Sequence, residues 1–208
     1  MAPRARNQPR KTPTQRRSRE TVRALVEAAA RIVASEGVDA LNTNRVAEVA
    51  GVGIGSLYQY FPSKEALLGA VIEARLEEDR ALFGARLGDP SHSVRARVLG
   101  MVDLVCDRQR EGAAVMPALL AVMGPVERDE HARRVMDELT EGMKRLLLSE
   151  PQCLRPDLRE PEALEVALFV VGRGLRWAVN EAVVHRPALL SDPRFRDELR
   201  RMVAGLLS

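Results

Sequence analysis

Between Thr43 and Lys64 the chain reads TNRVAEVAGVGIGSLYQYFPSK, two short apolar-periodic stretches separated only by Gly51-Val52-Gly53. Two short helices joined by so brief a turn make a helix-turn-helix. Thr43 is expected to cap a helix over Asn44–Ala50, and Ile54–Tyr60 forms the second. Ala47 falls where the two helices cross, and a larger side chain there would push them apart. Gly51 can take positive φ in the turn at little steric cost. Val46, Ala50, Val52 and Leu57 then form an apolar wedge against the helix before them.

That preceding helix starts near Arg17. Val22, Leu25, Val26, Ala29, Ile32 and Val33 recur at three- and four-residue spacing, and Gly37 stands where a helix commonly ends. After the helix-turn-helix, Pro62-Ser63 breaks the chain, and Ser63 caps a longer helix running to about Leu87. Gly88-Asp89-Pro90-Ser91 is a stop and restart. Further helices are expected over Val94–Gln109, Ala113–Met123, Val126–Ser149, Pro161–His185 and Asp192–Leu207. No stretch alternates like a strand, and aromatics are only 3% of the chain, which argues against a β-sandwich or barrel. The expected fold is all-α: a three-helix unit with a helix-turn-helix over residues 17–62, then a larger helical bundle over 63–208.

Charge is distributed unevenly. Residues 1–20 hold seven basic side chains and one acid, although the whole chain is only +3. Residues 1–16, with Pro3, Pro9 and Pro13, are expected to form a disordered basic arm. A basic arm on a mildly acidic body suits a polyanion, and charge alone leaves nucleic acid and an anionic membrane both open. The longest uncharged run, Gly112–Val126, is 15 residues, short of the roughly 20 that span a bilayer. The Arg-rich start lacks the apolar segment of a secretory signal. Two cysteines make no disulfide framework, so a reducing cytoplasm is the expected compartment. Cys106 reads as a core thiol. His92, His131 and His185 are isolated, so no metal site is expected. There is no phosphate-binding loop, dinucleotide fingerprint or nucleophile elbow, so neither an enzyme nor a cofactor is expected.

The second short helix carries the functional signal. With Leu57 facing inward, Gly55 and Gln59 point away from it, flanked by Ser56 and Tyr58. This outward face has no acid. Gly permits close approach, Ser and Gln can read base edges or phosphates, and Tyr can donate to a phosphate. Lys64 follows at a helix start, where an ammonium and free N–H groups can meet one phosphate. A tight hairpin with a polar outer face would account for the small residues, but not for the missing acids, the arm and Lys64 together.

The run Gly51-Val-Gly-Ile-Gly-Ser-Leu-Tyr-Gln-Tyr-Phe-Pro-Ser-Lys-Glu-Ala-Leu-Leu68 resembles the TetR family of bacterial transcription regulators. The resemblance extends over about Arg19 to Asp79. It implies DNA contacts at Thr43, Asn44, Ile54, Gly55, Ser56, Tyr58, Gln59, Tyr60 and Lys64. Gly53 and Asn44 stand where many members carry polar and charged residues respectively, which leaves base preference open. The resemblance also implies a cytoplasmic homodimer that binds a palindromic double-stranded DNA operator and is released by a small-molecule effector. An activator of the same family is the alternative function. A membrane-surface or scaffold protein using the arm is the rival from another class.

Two features of the C-terminal part bear on this. Leu164, Leu168, Val171, Leu175, Ala178 and Ala182 form a nearly heptad seam that suits a helix–helix interface. Pattern alone fits packing within one chain equally well; the resemblance favours a dimer interface here and in Asp192–Leu207. Gly172 and Gly174 would admit another helix closely. Met101, Val105, Met116, Leu119, Leu120, Met123, Met143 and Trp177 are candidates for lining an effector pocket, although such a stripe also suits plain core. Arg173 and Arg176 near Trp177 can hold an anionic aromatic effector or make ion pairs at a dimer edge.

Overall fold

The computed structural model describes residues 16–112 and 125–208. Its helices are α1 (Arg16–Glu36), α2 (Thr43–Ala50), α3 (Ile54–Tyr60), α4 (Lys64–Gly88), α5 (Val94–Gly112), α6 (Pro125–Ser149), α7 (Pro161–His185) and α8 (Pro193–Ala204). Short 3-10 turns over Pro151–Cys153, Pro156–Leu158 and Pro187–Ser191 link the later helices. Each begins with a proline, whose fixed φ and missing N–H suit a first helical position. Residues 1–15 of the expected arm and the expected helix over Ala113–Met123 lie outside the described residues, while Arg16, expected to end the arm, is the first residue of α1. Among the described residues, β-pairing is limited to an isolated antiparallel bridge, Leu154 with Leu207. The all-α architecture follows.

The chain divides into two compact units, and one division falls within α4, between Glu78 and Asp79. In the first, α1 buries Leu25, Ala28, Ala29, Ile32 and Val33 against Val46 and Ala47 of α2 and Leu57 of α3. The first half of α4 closes the same core with Ala66, Leu67, Leu68, Val71 and Ile72. The packing boundary therefore differs from the 62/63 division read from sequence. Pro62-Ser63 breaks the backbone but not the core.

Local caps fix the short elements. Asn42, not Thr43, caps α2: its side-chain oxygen accepts from the Arg45 N–H at 2.9 Å. At the other end Gly51 is left-handed (φ 64°). Its N–H donates to the Glu48 carbonyl at 3.0 Å, and Val52 N–H donates to Ala47 at 2.9 Å. This paired closure satisfies carbonyls that an eight-residue helix would otherwise leave open. Gly37 ends α1 in the same left-handed region, with φ 86°. Ser63 caps α4 by accepting from the Ala66 N–H at 3.2 Å.

The second unit is built on α5, α7 and α8. Val98, Val102 and Cys106 of α5, Leu164, Leu168 and Val179 of α7, and Leu199 and Val203 of α8 share one core. Cys106 is buried, and desolvation raises its thiol pKa, which leaves it a packing residue. The expected helix over Asp192–Leu207 begins one residue later, with Asp192 as its cap, and ends at Ala204. Beyond it the chain turns through Gly205 and Leu206, and Arg155 N–H donates to Leu206 while Ser208 N–H donates to Cys153. Charges reinforce α5 against α8: Arg196 bonds Asp107 at 2.6 Å, and Arg200 bonds Asp103. No described helix is long and apolar enough to cross a membrane.

The Arg196 hydrogen bond, against the opposing cost of burial, holds the Asp107 carboxyl below its ordinary value. Its stabilising effect is complete above the unfolded pKa, about 3.9, and is lost as the pH falls through that value toward the folded one. Asp107→Asn should therefore lower the melting temperature at pH 7, with the gap to wild type closing below about pH 5. Thermal melts at stepped pH check this; curves that coincide at every pH would show that the pair contributes nothing.

Candidate nucleic-acid interface

The candidate recognition element is α3, and its two faces are chemically opposite. Leu57 is fully buried, Tyr60 is 8% exposed, and Phe61, which follows the helix, is buried beside them. Gly53, Ile54, Gly55, Tyr58 and Gln59 are exposed, and Ser56 is half-buried. The inward anchoring by Leu57 and the outward presentation of Gly55, Tyr58 and Gln59 follow from the helical period. Tyr60 is placed differently from the other contact residues implied by the family resemblance. Three positions after Leu57, it shares the inward face, packs into the first core and does not present its side chain with theirs.

Two polar contacts organise the surface. Thr43 Oγ1 and the Tyr58 hydroxyl lie 3.0 Å apart, joining the start of α2 to the outward side of α3 across the turn. Both hydroxyls are at the surface, and each keeps capacity to bond a further oxygen. Lys64 Nζ donates to the Val38 carbonyl at 2.9 Å, tying the start of α4 to the loop between α1 and α2. This contact was not legible in the sequence, where Lys64 reads only as a cation at a helix start. An ammonium has three donors, so one bond to Val38 leaves two. Asn44 is exposed on the first turn of α2. Beside it Arg45, which sequence reasoning did not single out, bonds Glu36 at 2.8 Å. The Glu36 hydrogen bond raises the Arg45 pKa. Glu65, in the first turn of α4, is held below its ordinary pKa by backbone and Ser63 hydrogen bonds. It therefore stays ionised and occupied at that helix start. No group of three or more metal-ligating side chains gathers among the described residues.

The C-terminal candidates fall elsewhere. Leu164, Leu168 and Ala182 are buried within the protomer, and Val171, Leu175 and Ala178 are half-buried against the same core. The seam is therefore the inward side of α7, since a residue already packed in its own chain has little surface left for a partner. Gly172 and Gly174 are approached from within the chain: a Cβ there would lie 3.5 Å from Met136 Cε and 3.2 Å from Met202 Cε. The opposite side of α7 presents Val166, Phe169, Val170, Trp177 and Val184 to solvent. Trp177, 68% exposed, thus belongs to an open face rather than to a pocket interior. Met101 is buried, and Val105 and Met143 pack against the second core; Met116, Leu119, Leu120 and Met123 lie outside the described residues. An open groove of about 390 Å³ runs between α6 and α7, lined by Met136, Thr140, Lys144, Val166, Phe169 and Arg173 among others. None of Met101, Val105, Met143 and Trp177, the expected pocket residues among those described, lines it. Arg173 lies 5.4 Å from the Phe169 ring centre and 3.5 Å from Asp137, so its charge is matched within the chain.

Comparison with known proteins agrees with this geometry. Residues 25–71 match the family described as bacterial regulatory proteins, tetR family. A relative, the HTH-type transcriptional regulator BetI of Rhizobium meliloti (strain 1021), is 27% identical over 166 residues. That match covers 78% of this chain and 80% of the relative. The fatty acid degradation regulator FadR from Bacillus halodurans superposes with a TM-score of 0.65 at 16% identity, covering 94% of this chain and 97% of FadR. NalD of Pseudomonas aeruginosa, described as the secondary repressor of the MexAB-OprM multidrug efflux pump, gives 0.56 at 21%, covering 93% and 98%. These two structural likenesses establish the fold alone. Residues 25–71 carry the match to the tetR-family DNA-binding domain, and the protein is a DNA-binding transcription regulator.

The two polar contacts separate experimentally. Tyr58→Phe removes an exposed hydroxyl, so stability should stay within about 0.5 kcal/mol while DNA affinity falls on all sequences. Lys64→Ala removes a candidate phosphate partner and an internal strap together, so it should lower the melting temperature and flatten the salt slope by about one. Titrations at several salt concentrations check both. A Lys64→Ala protein with an unchanged slope would restrict Lys64 to strapping the loop.

Proposed function

We propose that the protein is a cytoplasmic, non-catalytic homodimer that represses transcription from a palindromic operator and is released by a small-molecule effector. The observation that carries this reading is the outward face of α3, free of acids and bearing Gly55, Tyr58 and Gln59, with Thr43 joined to Tyr58 beside it. Two such helices would enter successive major grooves on one side of the duplex, about 34–36 Å apart. Tyr58, Thr43 and Lys64 would hold phosphates and fix register, Asn44 would sit beside the same backbone, and Ser56 and Gln59 would read base edges. The basic arm would add sequence-independent attraction. Repression, rather than activation, draws support from the description of NalD as a repressor.

Dimerisation by α7 is supported by its exposed apolar side. Val166, Phe169, Val170, Trp177 and Val184 together make a surface that a lone soluble protomer has reason to cover. Exposed Met202 of α8 adjoins it across the close approach at Gly174. Release requires that the effector bind a form with wrongly spaced reading heads better than the DNA-bound form, because a ligand shifts an equilibrium only by its differential affinity.

The two sides of α7 give opposite expectations. Leu168→Ala empties a buried site and should cost about 2–5 kcal/mol of stability. Phe169→Glu puts a charge on the open face, so it should dissociate the dimer while helical content is retained, and operator binding should drop steeply. Sedimentation with circular dichroism distinguishes them. A Phe169→Glu protein that sediments as an intact dimer would place the interface on another surface.

A further inference from the structure

The tip of α3 carries a feature that packing does not account for. Ile54 is 38% exposed, whereas Leu57, one turn on, is fully buried. Its neighbours Gly53 and Gly55 are both exposed, and a Cβ built on either meets nothing within 4 Å. Neither holds the positive φ that favours glycine; positive-φ glycines among the described residues are Gly37 and Gly51. Gly53 and Gly55 are thus required neither by packing nor by backbone conformation. Their effect is to strip side chains from both sides of Ile54, so that one branched apolar group stands exposed at the start of α3, one turn before Tyr58.

We infer that Ile54 is a specificity-determining residue that reads the 5-methyl group of a thymine in the major groove. This rests on the reading of α3 as the major-groove helix proposed above. Among the base edges of that groove, the thymine methyl is the apolar group; the others are hydrogen-bond donors and acceptors. An exposed isoleucine without polar neighbours at positions 53 and 55 complements that methyl and offers nothing to guanine O6 and N7 or to the cytosine amino group. The bare backbone at Gly53 and Gly55 allows the close approach that a methyl contact needs, since dispersion falls off within an ångström of contact. Gln59, five residues further along α3 and also exposed, has the amide that pairs bidentately with adenine. The expected half-site therefore contains a thymine under Ile54, whose recognition is apolar and independent of Gln59.

The test uses the full-length protein and a duplex recovered by selection from random DNA. Each thymine is replaced in turn by deoxyuridine, symmetrically in both half-sites, which removes the methyl and leaves base pairing intact. One thymine position is expected to stand out. Loss of about 0.8 kcal/mol per methyl, at 1.4 kcal/mol per tenfold, corresponds to roughly a fourfold loss per half-site and about fifteenfold for the pair. Ile54→Ala should bind the thymine and uracil duplexes equally, and Ile54→Val should keep part of the preference. Equal wild-type binding to every uracil duplex would overturn the inference. So would a uracil penalty that persists undiminished in Ile54→Ala. Gln59→Ala is run in parallel: if it alters base preference while uracil has no effect, α3 reads DNA without Ile54. If neither variant changes binding, the assignment of α3 itself fails.

Discussion

Everything functional in this protein depends on the burial of one side of a helix too short to stand alone. α3 has seven residues, and isolated helices shorter than about 12 residues are marginal in water. It is held by Leu57 and Tyr60, with Phe61 just beyond, inserted among Leu25, Ala29 and Ile32 of α1 and Leu67, Leu68 and Ile72 of α4. That one-sided anchoring explains why the other side can be so sparse. The side chains of Ile54, Tyr58 and Gln59 are left exposed, so their chemistry is open to what α3 meets. The same logic explains the caps. Asn42 and Gly51 close α2 at both ends because eight residues cannot close themselves.

The two units use different cement. The first is almost wholly aliphatic, with Ala47 keeping α2 and α3 close and α4 contributing its first half to the core. The second joins an aliphatic core to carboxylate–guanidinium ties between α5 and α8, where Arg196 and Arg200 meet Asp103 and Asp107. Such ties gain from partial burial and from several charges acting together, in a way that a lone exposed pair does not. The open side of α7 stands apart from both. It carries five large apolar residues in solvent, the arrangement of a surface made to meet another surface.

Much of this was legible in the sequence, and the failures have physical causes. The α1 stripe, the Gly-Val-Gly turn and the inward Leu57 follow from helical periodicity and from glycine's freedom. The bounds of α7, Pro161–His185, are marked by proline on both flanks. The sequence offers Thr43 as the α2 cap because threonine and asparagine cap by the same chemistry, and only geometry shows that Asn42 does it while Thr43 meets Tyr58. Tyr60 sits in a motif of outward residues but three positions from Leu57, which turns it inward. The heptad-like seam of α7 was ambiguous from the start, because four-three spacing describes any buried stripe. The informative signal was that α7 is also apolar at 166, 169, 170, 177 and 184. A helix apolar on two sides has two things to cover. Lys64 to Val38 links residues 26 apart and has no local signature.

The most direct test is a backbone-amide NMR titration of the isotopically labelled full-length protein with its selected operator duplex. Binding through the outward face of α3 and the start of α2 should perturb amides at Thr43–Arg45 and Gly53–Gln59 most strongly. Amides of the buried α1 stripe should change little. Strong perturbations confined to the second unit, with those of α3 unmoved, would contradict the account at its centre.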